Sequence, residues 1–370
     1  MVPHVVLTWI TTARGGAENS VIELAENLAR LVPGVDVVWW RRGGPAANQP
    51  AAARVHEVTD WAGYQRALTR ACGPDDGHPV VVISSHRTAA ADVALVPHAR
   101  VIPVVRHVVS ADQALRVIDP HDGDMVERRI GDLPWNLLSS VPVWVGISQA
   151  SSAALRRHAP KARHVSTIHN GVAIPATVPA RTRPETGRLL IASVARTVPW
   201  KRVDQLVRAV ADPRLCTSAR LDIFGEAGSH QPELEALARD LAAPVRFMGY
   251  ADDLPQRLAG YDLLATAAVQ EGFGRAVIDA AGAAIPSLVP NAGASPELVV
   301  DGLTGTVYDP DAPGDLVAAL TDTLLDREML PRMGSAARAL AEAWYTPGRC
   351  AAQYLTLVLD QQPRALADSR

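Results

Sequence analysis

Lysine is almost missing from this chain. Of 36 basic residues in 370, only Lys161 and Lys201 are lysines, so arginine carries nearly all the positive charge. Cysteine is scarce as well. Cys72, Cys216 and Cys350 are odd in number and far apart, which argues against a disulfide framework and shows no zinc-ligand spacing. That scarcity fits a reducing compartment, and a cytoplasmic location is the expectation. Basic excess is absent too, since 39 acidic residues leave a net charge of −3. A chain so balanced has no electrostatic footprint for nucleic acid, and no nucleic-acid partner is expected. No apolar run approaches the roughly 18 residues of a membrane span. The opening Met1-Val-Pro-His-Val-Val-Leu-Thr-Trp-Ile10 has no basic n-region and no small-residue cleavage site, and reads as a buried strand rather than a secretion signal.

What is present is a globular composition, 48% hydrophobic and 20% charged. At roughly 150 residues per domain, the length suggests two domains. Short apolar runs alternate with amphipathic stretches from end to end, the pattern of parallel α/β architecture. In the first half the spacing predicts strands at His4–Ile10, Val35–Trp40, Val80–Ser84, Val101–Val105 and Val143–Ile147, and a helix over Ala17–Leu31. Residues 174–187 hold three prolines and no apolar periodicity, and read as a linker. The alternation then restarts, with strands at Leu189–Val194, Arg220–Phe224, Val245–Met248, Leu263–Ala267 and Ser287–Val289. Residues 329–359 read as two helices broken near Tyr345-Thr-Pro347-Gly348. Two such units place ligands beyond the carboxyl ends of their strands, in a cleft.

Five loops carry candidate chemistry. Thr11-Thr-Ala-Arg14-Gly15-Gly16-Ala17-Glu18 follows the first strand and opens a helix. It is either a polar-ligand loop or a tight turn, and it is not a G-x-G-x-x-G fingerprint. Val194-Ala-Arg196-Thr-Val-Pro-Trp-Lys201-Arg202 sets a guanidinium fork and an ammonium across a short loop, either as phosphate ligands or as a solvated pair. Gln270-Glu271-Gly272-Phe273-Gly274-Arg275-Ala-Val-Ile-Asp279 leaves amides open at a helix start, a ready anion site. There Glu271 either accepts from sugar hydroxyls or compensates the helix end. Asp279 either reaches a ribose or pairs with Arg275 at i,i+4. Thr167-Ile-His169-Asn170-Gly171-Val172 reads as a structural Asn-Gly turn. Val104-Val-Arg106-His107, ending a strand, offers either a proton-transfer histidine or a structural one, and His86 has the same two readings.

Together these loops resemble the GT4-type family of retaining glycosyltransferases, which have the GT-B fold. The likeness rests on Gly15-Gly16 with its helix, Asn170-Gly171-Val172, Arg196 with Lys201, and Glu271 to Asp279, which looks like the family's E-x7-E region. It also rests on Asn291-Ala-Gly293-Ala-Ser-Pro-Glu297 and Asp301-Gly302-Leu-Thr-Gly305. The resemblance implies two Rossmann-like parallel-sheet domains facing each other across a cleft. Residues 1–178 would take the acceptor side and 187–347 the nucleotide-sugar donor side, with 348–370 returning to the first domain.

It further implies roles for individual residues. Arg196 and Lys201 would hold the donor diphosphate. Gly272, Phe273, Gly274 and Arg275 would offer groups to phosphates and sugar. Glu271 would bind the sugar and Asp279 the ribose, while Met248-Gly249-Tyr250 would lie against the nucleobase. Gly15 and Gly16 would approach from the first domain, and His107 would stand near the donor sugar. Catalysis would rest on His107, Arg196, Lys201 and Glu271. Arg14, His86, His121 and Asp122 are acceptor candidates, the last two within the long segment Ser110–Pro142, whose other reading is a plain surface excursion. Asp279 stands where the family usually has glutamate, and Ala292 and Ala294 partly replace a usual glycine pair.

The expected reaction is transfer with retention from a nucleoside-diphosphate sugar, a UDP-sugar in the first instance, to a hydroxyl of a soluble acceptor such as an aminocyclitol. A cell-envelope or lipid-linked acceptor is the alternative. An epimerase or an inactive nucleotide-sugar-binding partner are others. No cofactor and no metal are expected. Asp122-Gly-Asp124 and Asp309-Pro-Asp311 read as surface turns rather than metal triplets. The short pairs Arg128-Arg129 and Arg156-Arg157 fall short of a membrane-binding patch.

Overall fold

Runs of valine, isoleucine and leucine with almost no polar interruption form strands covered on both faces, as parallel sheets require. The computed structural model describes residues 2–11, 16–41, 49–108, 114–162, 164–180 and 187–360. The chain divides into two compact units, one holding the residues up to Gly171 and again from Pro347, the other holding Val172–Thr346.

The strands of the first unit are β1 (His4–Thr11), β2 (Val35–Arg41), β3 (Arg54–Val58), β4 (Val80–Ser85), β5 (Arg100–Val105), β6 (Ala114–Ile118), β7 (Met125–Arg129), β8 (Trp144–Gly146) and β9 (Val165–Thr167). Seven of them form one sheet in the order β3-β2-β1-β4-β5-β8-β9, every neighbour parallel. In the second unit β10 (Leu189–Val194), β11 (Ala219–Phe224), β12 (Val245–Gly249), β13 (Leu263–Ala265), β14 (Ser287–Pro290) and β15 (Gly305–Tyr308) lie in the order β12-β11-β10-β13-β14-β15, also all parallel. Both are Rossmann-type orders, and each reverses direction beside its first strand.

All ten expected strands are present, with ends shifted by up to two residues. The first helix spans Gly16–Leu28 rather than Ala17–Leu31, since the chain turns at Leu31 before Pro33-Gly34. Helices Leu330–Trp344 and Pro347–Leu359 flank the break at Tyr345. The segment read either as an acceptor-recognition region or as a plain surface excursion contains an antiparallel hairpin, β6 with β7. Leu115, Val117 and Ile130 are buried beside Trp135, Trp144 and Leu155. The Ile118 amide bonds the Arg87 carbonyl at 2.7 Å.

In the first unit a buried carboxylate braces the sheet. Asp92, fully buried, accepts from Thr8 Oγ1 of β1 at 2.8 Å, Ser84 Oγ of β4 at 2.5 Å and Tyr64 OH at 2.5 Å. Burial raises its pKa to about 6 against the opposing pull of these hydroxyls. Helix Pro347–Leu359 packs on helix Gly16–Leu28, and the Arg100 guanidinium donates to the carbonyls of Leu357 and Asp360 near its end. In the second unit the stretch after Gly171 is bound down rather than loose. Arg338 donates to the carbonyls of Pro175 and Gly282.

Helix Leu330–Trp344 reaches this packing only because Gly334 has no side chain. A Cβ there would overlap the Ala284 carbonyl oxygen. Gly334→Ala is expected to lower stability by about 1–3 kcal/mol, read as a depressed Tm. An unchanged melting curve would contradict the packing described.

Candidate functional site

The reversal of strand order in the second unit lies between β10 and β13. The loops leaving the carboxyl ends of those two strands therefore part in opposite directions and leave room between them for a ligand. The loop after β10 runs from Ala195 to Arg202. Thr197 anchors it, its hydroxyl accepting from the Gly228 amide at 2.6 Å and donating to Gln231 at 3.2 Å. Arg196 stands exposed beside this anchor. Lys201 ends a short 3-10 turn, Pro199–Lys201.

The loop after β13 brings Glu271 to Lys201. Glu271 Oε2 lies 2.5 Å from Lys201 Nζ, with both side chains less than one-fifth exposed. The same ammonium sits 4.2 Å from the ring centroid of Trp200, itself 42% exposed. Lysine and carboxylate, seventy residues apart, thus meet at the strand reversal.

The Glu271 backbone is held from behind. Its carbonyl accepts the Ala294 amide at 2.9 Å. A Cβ on Gly293, whose φ is +59°, would stand 2.8 Å from that carbonyl oxygen and 2.9 Å from the Glu271 nitrogen. Only glycine fits both the left-handed backbone and the close approach. Phe273 is buried and meets Tyr345 edge-on at 5.9 Å, while Tyr345 OH donates to the Glu297 carbonyl at 2.7 Å. Gly274, at φ 96°, caps helix Arg275–Gly282. The first amides of such a helix have no intrahelical partner and attract an anion. Arg275 and Asp279 lie 3.8 Å apart within this helix, so the i,i+4 pairing weighed for Asp279 is present. At the end of β12, Met248 and Tyr250 are exposed, and the Gly249 carbonyl accepts from Gly225.

In the first unit, β4 and β5 end side by side. The rings of His86 and His107 meet edge-on at 4.7 Å. Burial, reinforced by the Arg87 charge, lowers the His107 pKa to about 4. Burial first, then His107 and Arg87, hold His86 well below its usual value, and His86 Nδ1 is buried without a partner among the described residues. Arg106, next in the chain to His107, lies 5.1 Å from the Trp9 ring and donates to Asn170 Oδ1 at 3.0 Å.

Arg14 and Gly15 lie outside the described residues, and Gly16 is the exposed first residue of its helix. His121 and Asp122 are exposed in the β6–β7 turn, where Asp122 Oδ1 accepts the Asp124 amide at 2.9 Å. No hydrogen bond or ion pair joins them to His86 or His107 among the described residues. The Asp309 carboxylate likewise accepts from the Asp311 amide. No group of three or more His, Cys, Asp or Glu side chains able to hold a metal occurs among the described residues. Sequence reasoning gave no role to Trp200, Arg106 or Tyr345. A tryptophan next to one of only two lysines was the available signal for the first.

Residues 177–340 match the model of the family Glycosyl transferases group 1. Over 195 residues the chain is 30% identical to the GDP-mannose-dependent alpha-(1-6)-phosphatidylinositol monomannoside mannosyltransferase of Mycolicibacterium smegmatis, covering 48% of this chain and 51% of the relative. It is 28% identical over 240 residues to the D-inositol 3-phosphate glycosyltransferase of Streptomyces avermitilis, covering 59% and 52%. The chain thus spans about half the length of the curated relatives it matches. Among solved structures, Anabaena HepE in complex with UDP and glucose aligns with a TM-score of 0.77 at 18% identity, covering 96% of this chain and 99% of that one. Sucrose-phosphate synthase from Thermosynechococcus elongatus aligns at 0.79 and 17%, covering 96% and 98%. At these identities the likeness is one of fold, and the fold is GT-B.

The histidine pair carries a pH signature. A His107 pKa of about 4 in the folded chain, against about 6.5 unfolded, means the unfolded state binds more protons between these values. Stability therefore rises with pH from about 4 to 6.5 on this account, and is lost as pH falls through the same window. Asp92, raised to about 6, acts with the opposite sign between about 3.8 and 6. The difference between wild type and His107→Gln isolates the histidine contribution. Tm measured from pH 7.5 to 4.5 is expected to fall more steeply for wild type. Parallel curves would contradict the assignment.

Proposed function

We propose, for a chain whose residues 177–340 match the group 1 glycosyl transferases, that the protein transfers a sugar from a nucleoside-diphosphate sugar to a hydroxyl acceptor with retention of configuration. The observation that carries this reading is Lys201 meeting Glu271 beside the Gly274 helix start, at the strand reversal. A cation, a helix N-terminus and a sugar-directed carboxylate then share one crevice. Arg196, Lys201 and the helix amides stabilise the charge that develops on the departing diphosphate. Glu271 accepts from hydroxyls of the transferred sugar. Met248–Tyr250 flank the base, and Asp279, oriented by Arg275, faces the ribose. The acceptor attacks on the face the diphosphate leaves, and the leaving oxygen takes its proton. His107, neutral at physiological pH, serves the sugar side as a hydrogen-bonding group. These residues need no metal to neutralise the diphosphate.

The donor is proposed as a UDP-sugar and the acceptor as a soluble polyol of the aminocyclitol kind. A second reading, a GDP-sugar with a lipid-linked acceptor, is favoured by the name of the Mycolicibacterium relative. No helix of the described residues is long and apolar enough to cross a membrane.

Release of nucleoside diphosphate from a panel of nucleotide sugars is expected only when an acceptor is present. Acceptor-independent release at the same rate would contradict transfer. Lys201→Ala is expected to weaken nucleoside diphosphate binding by about 1.5–3 kcal/mol, the scale of a charged hydrogen bond, and unchanged affinity would remove Lys201 from the phosphate site. His107→Ala is expected to lower kcat more than nucleotide affinity, whereas equal losses in both would assign it a folding role.

A further inference from the structure

The phosphate-directed cation and the sugar-directed carboxylate are bonded to each other. Lys201 Nζ and Glu271 Oε2 are 2.5 Å apart, both largely withdrawn from water, so neither group is ready for its ligand as it stands. A diphosphate arriving at the Gly274 helix start brings more negative charge than one carboxylate, at the same ammonium. We propose that Lys201 exchanges partners when the donor binds. The diphosphate takes over the ammonium, and the released Glu271 carboxylate becomes the acceptor for the sugar hydroxyls.

The backbone on both sides is fixed, so the exchange is confined to side chains. Gly293 and the Ala294 amide hold the Glu271 main chain. Thr197, bonded to Gly228 and Gln231, holds the start of the lysine loop. The lysine has four rotatable bonds and a shelf to move across, the Trp200 ring 4.2 Å from its nitrogen. The consequence is an ordered site. The sugar-binding carboxylate stays masked until a phosphate unmasks it, so a free sugar finds Glu271 occupied. This inference rests on the proposed nucleotide-sugar reading and adds to it that Glu271 opposes the binding of bare diphosphate.

That opposition makes the test unusual, because loss of a binding-site charge should tighten binding. Glu271→Gln keeps the shape and removes the competing charge. Calorimetric titration with UDP and GDP is expected to show roughly two- to fivefold tighter binding of the preferred nucleotide than wild type, the scale set by freeing a partly exposed ion pair. Affinity for the intact nucleotide sugar is expected not to gain by this factor, and kcat is expected to fall.

Trp200 gives a second readout that does not depend on turnover. It is one of eight tryptophans, and the emission difference between wild type and Trp200→Phe isolates it. That difference is expected to change when UDP or GDP draws the ammonium off the ring. In the Glu271→Gln background it is expected to start nearer the ligand-bound value. Equal or weaker diphosphate binding by a folded Glu271→Gln variant, with wild type still binding, overturns the exchange and leaves the transferase reading standing. A Trp200 signal that ignores a bound nucleotide overturns it as well. Wild type binding none of UDP, GDP, ADP and dTDP overturns both.

Discussion

The reversal of strand order between β10 and β13 is the constraint on which the second unit depends. Parallel strands on either side of it send their following loops apart, and the crevice exists before any side chain is chosen. What the chain adds is placement. Lys201 comes from the loop after β10 and Glu271 from the loop after β13, so their 2.5 Å contact is a direct product of that topology. The helix that follows Gly274 directs its N-terminal, positive dipole end to the same place.

Holding that arrangement takes several residues with no chemistry of their own. Gly293 lets one backbone lie against another, and Tyr345 spans from the Phe273 ring to the Glu297 carbonyl. Tyr345 also accepts the Val172 amide at its own carbonyl, 2.8 Å away, so the first and last segments of the second unit are tied beside the Phe273 loop. In the first unit the Asp92 carboxylate accepts from hydroxyls of β1 and β4, so hydrogen bonds satisfy it in the core. An arginine-rich chain with two lysines uses arginine for structural forks, as at Arg338 and Arg100. It keeps one lysine where a compact, movable charge is wanted.

Much of this was legible in the sequence because parallel strands buried on both faces are nearly continuous apolar runs. β4 and β10 stand out for that reason, with five or more consecutive buried positions each. The strands that escaped notice lack such runs. β3 (Arg-Val-His-Glu-Val) is a half-exposed edge, β9 has three residues and β15 four, and in the β6–β7 hairpin Arg116, Glu127, Arg128 and Arg129 interrupt the apolar positions. Its Asp122-Gly123 turn was the readable signal. At the site, Glu271, Lys201, Arg196 and Gly274 were visible as residue types in loops after strands. Their pairing was not, because a contact across seventy residues depends on strand order, which periodicity does not encode. The same holds for Arg106, which meets Asn170 from sixty-four residues away, and for the edge-on meeting of His86 and His107.

The central claim is that the crevice at the β10–β13 reversal is built for a nucleoside diphosphate. Calorimetric titration of the purified wild-type chain with UDP, GDP, ADP and dTDP in metal-free buffer tests it most directly. Selective micromolar binding of one nucleotide is the predicted result, and it would also identify the base of the donor. A folded protein that binds none of the four would contradict the account.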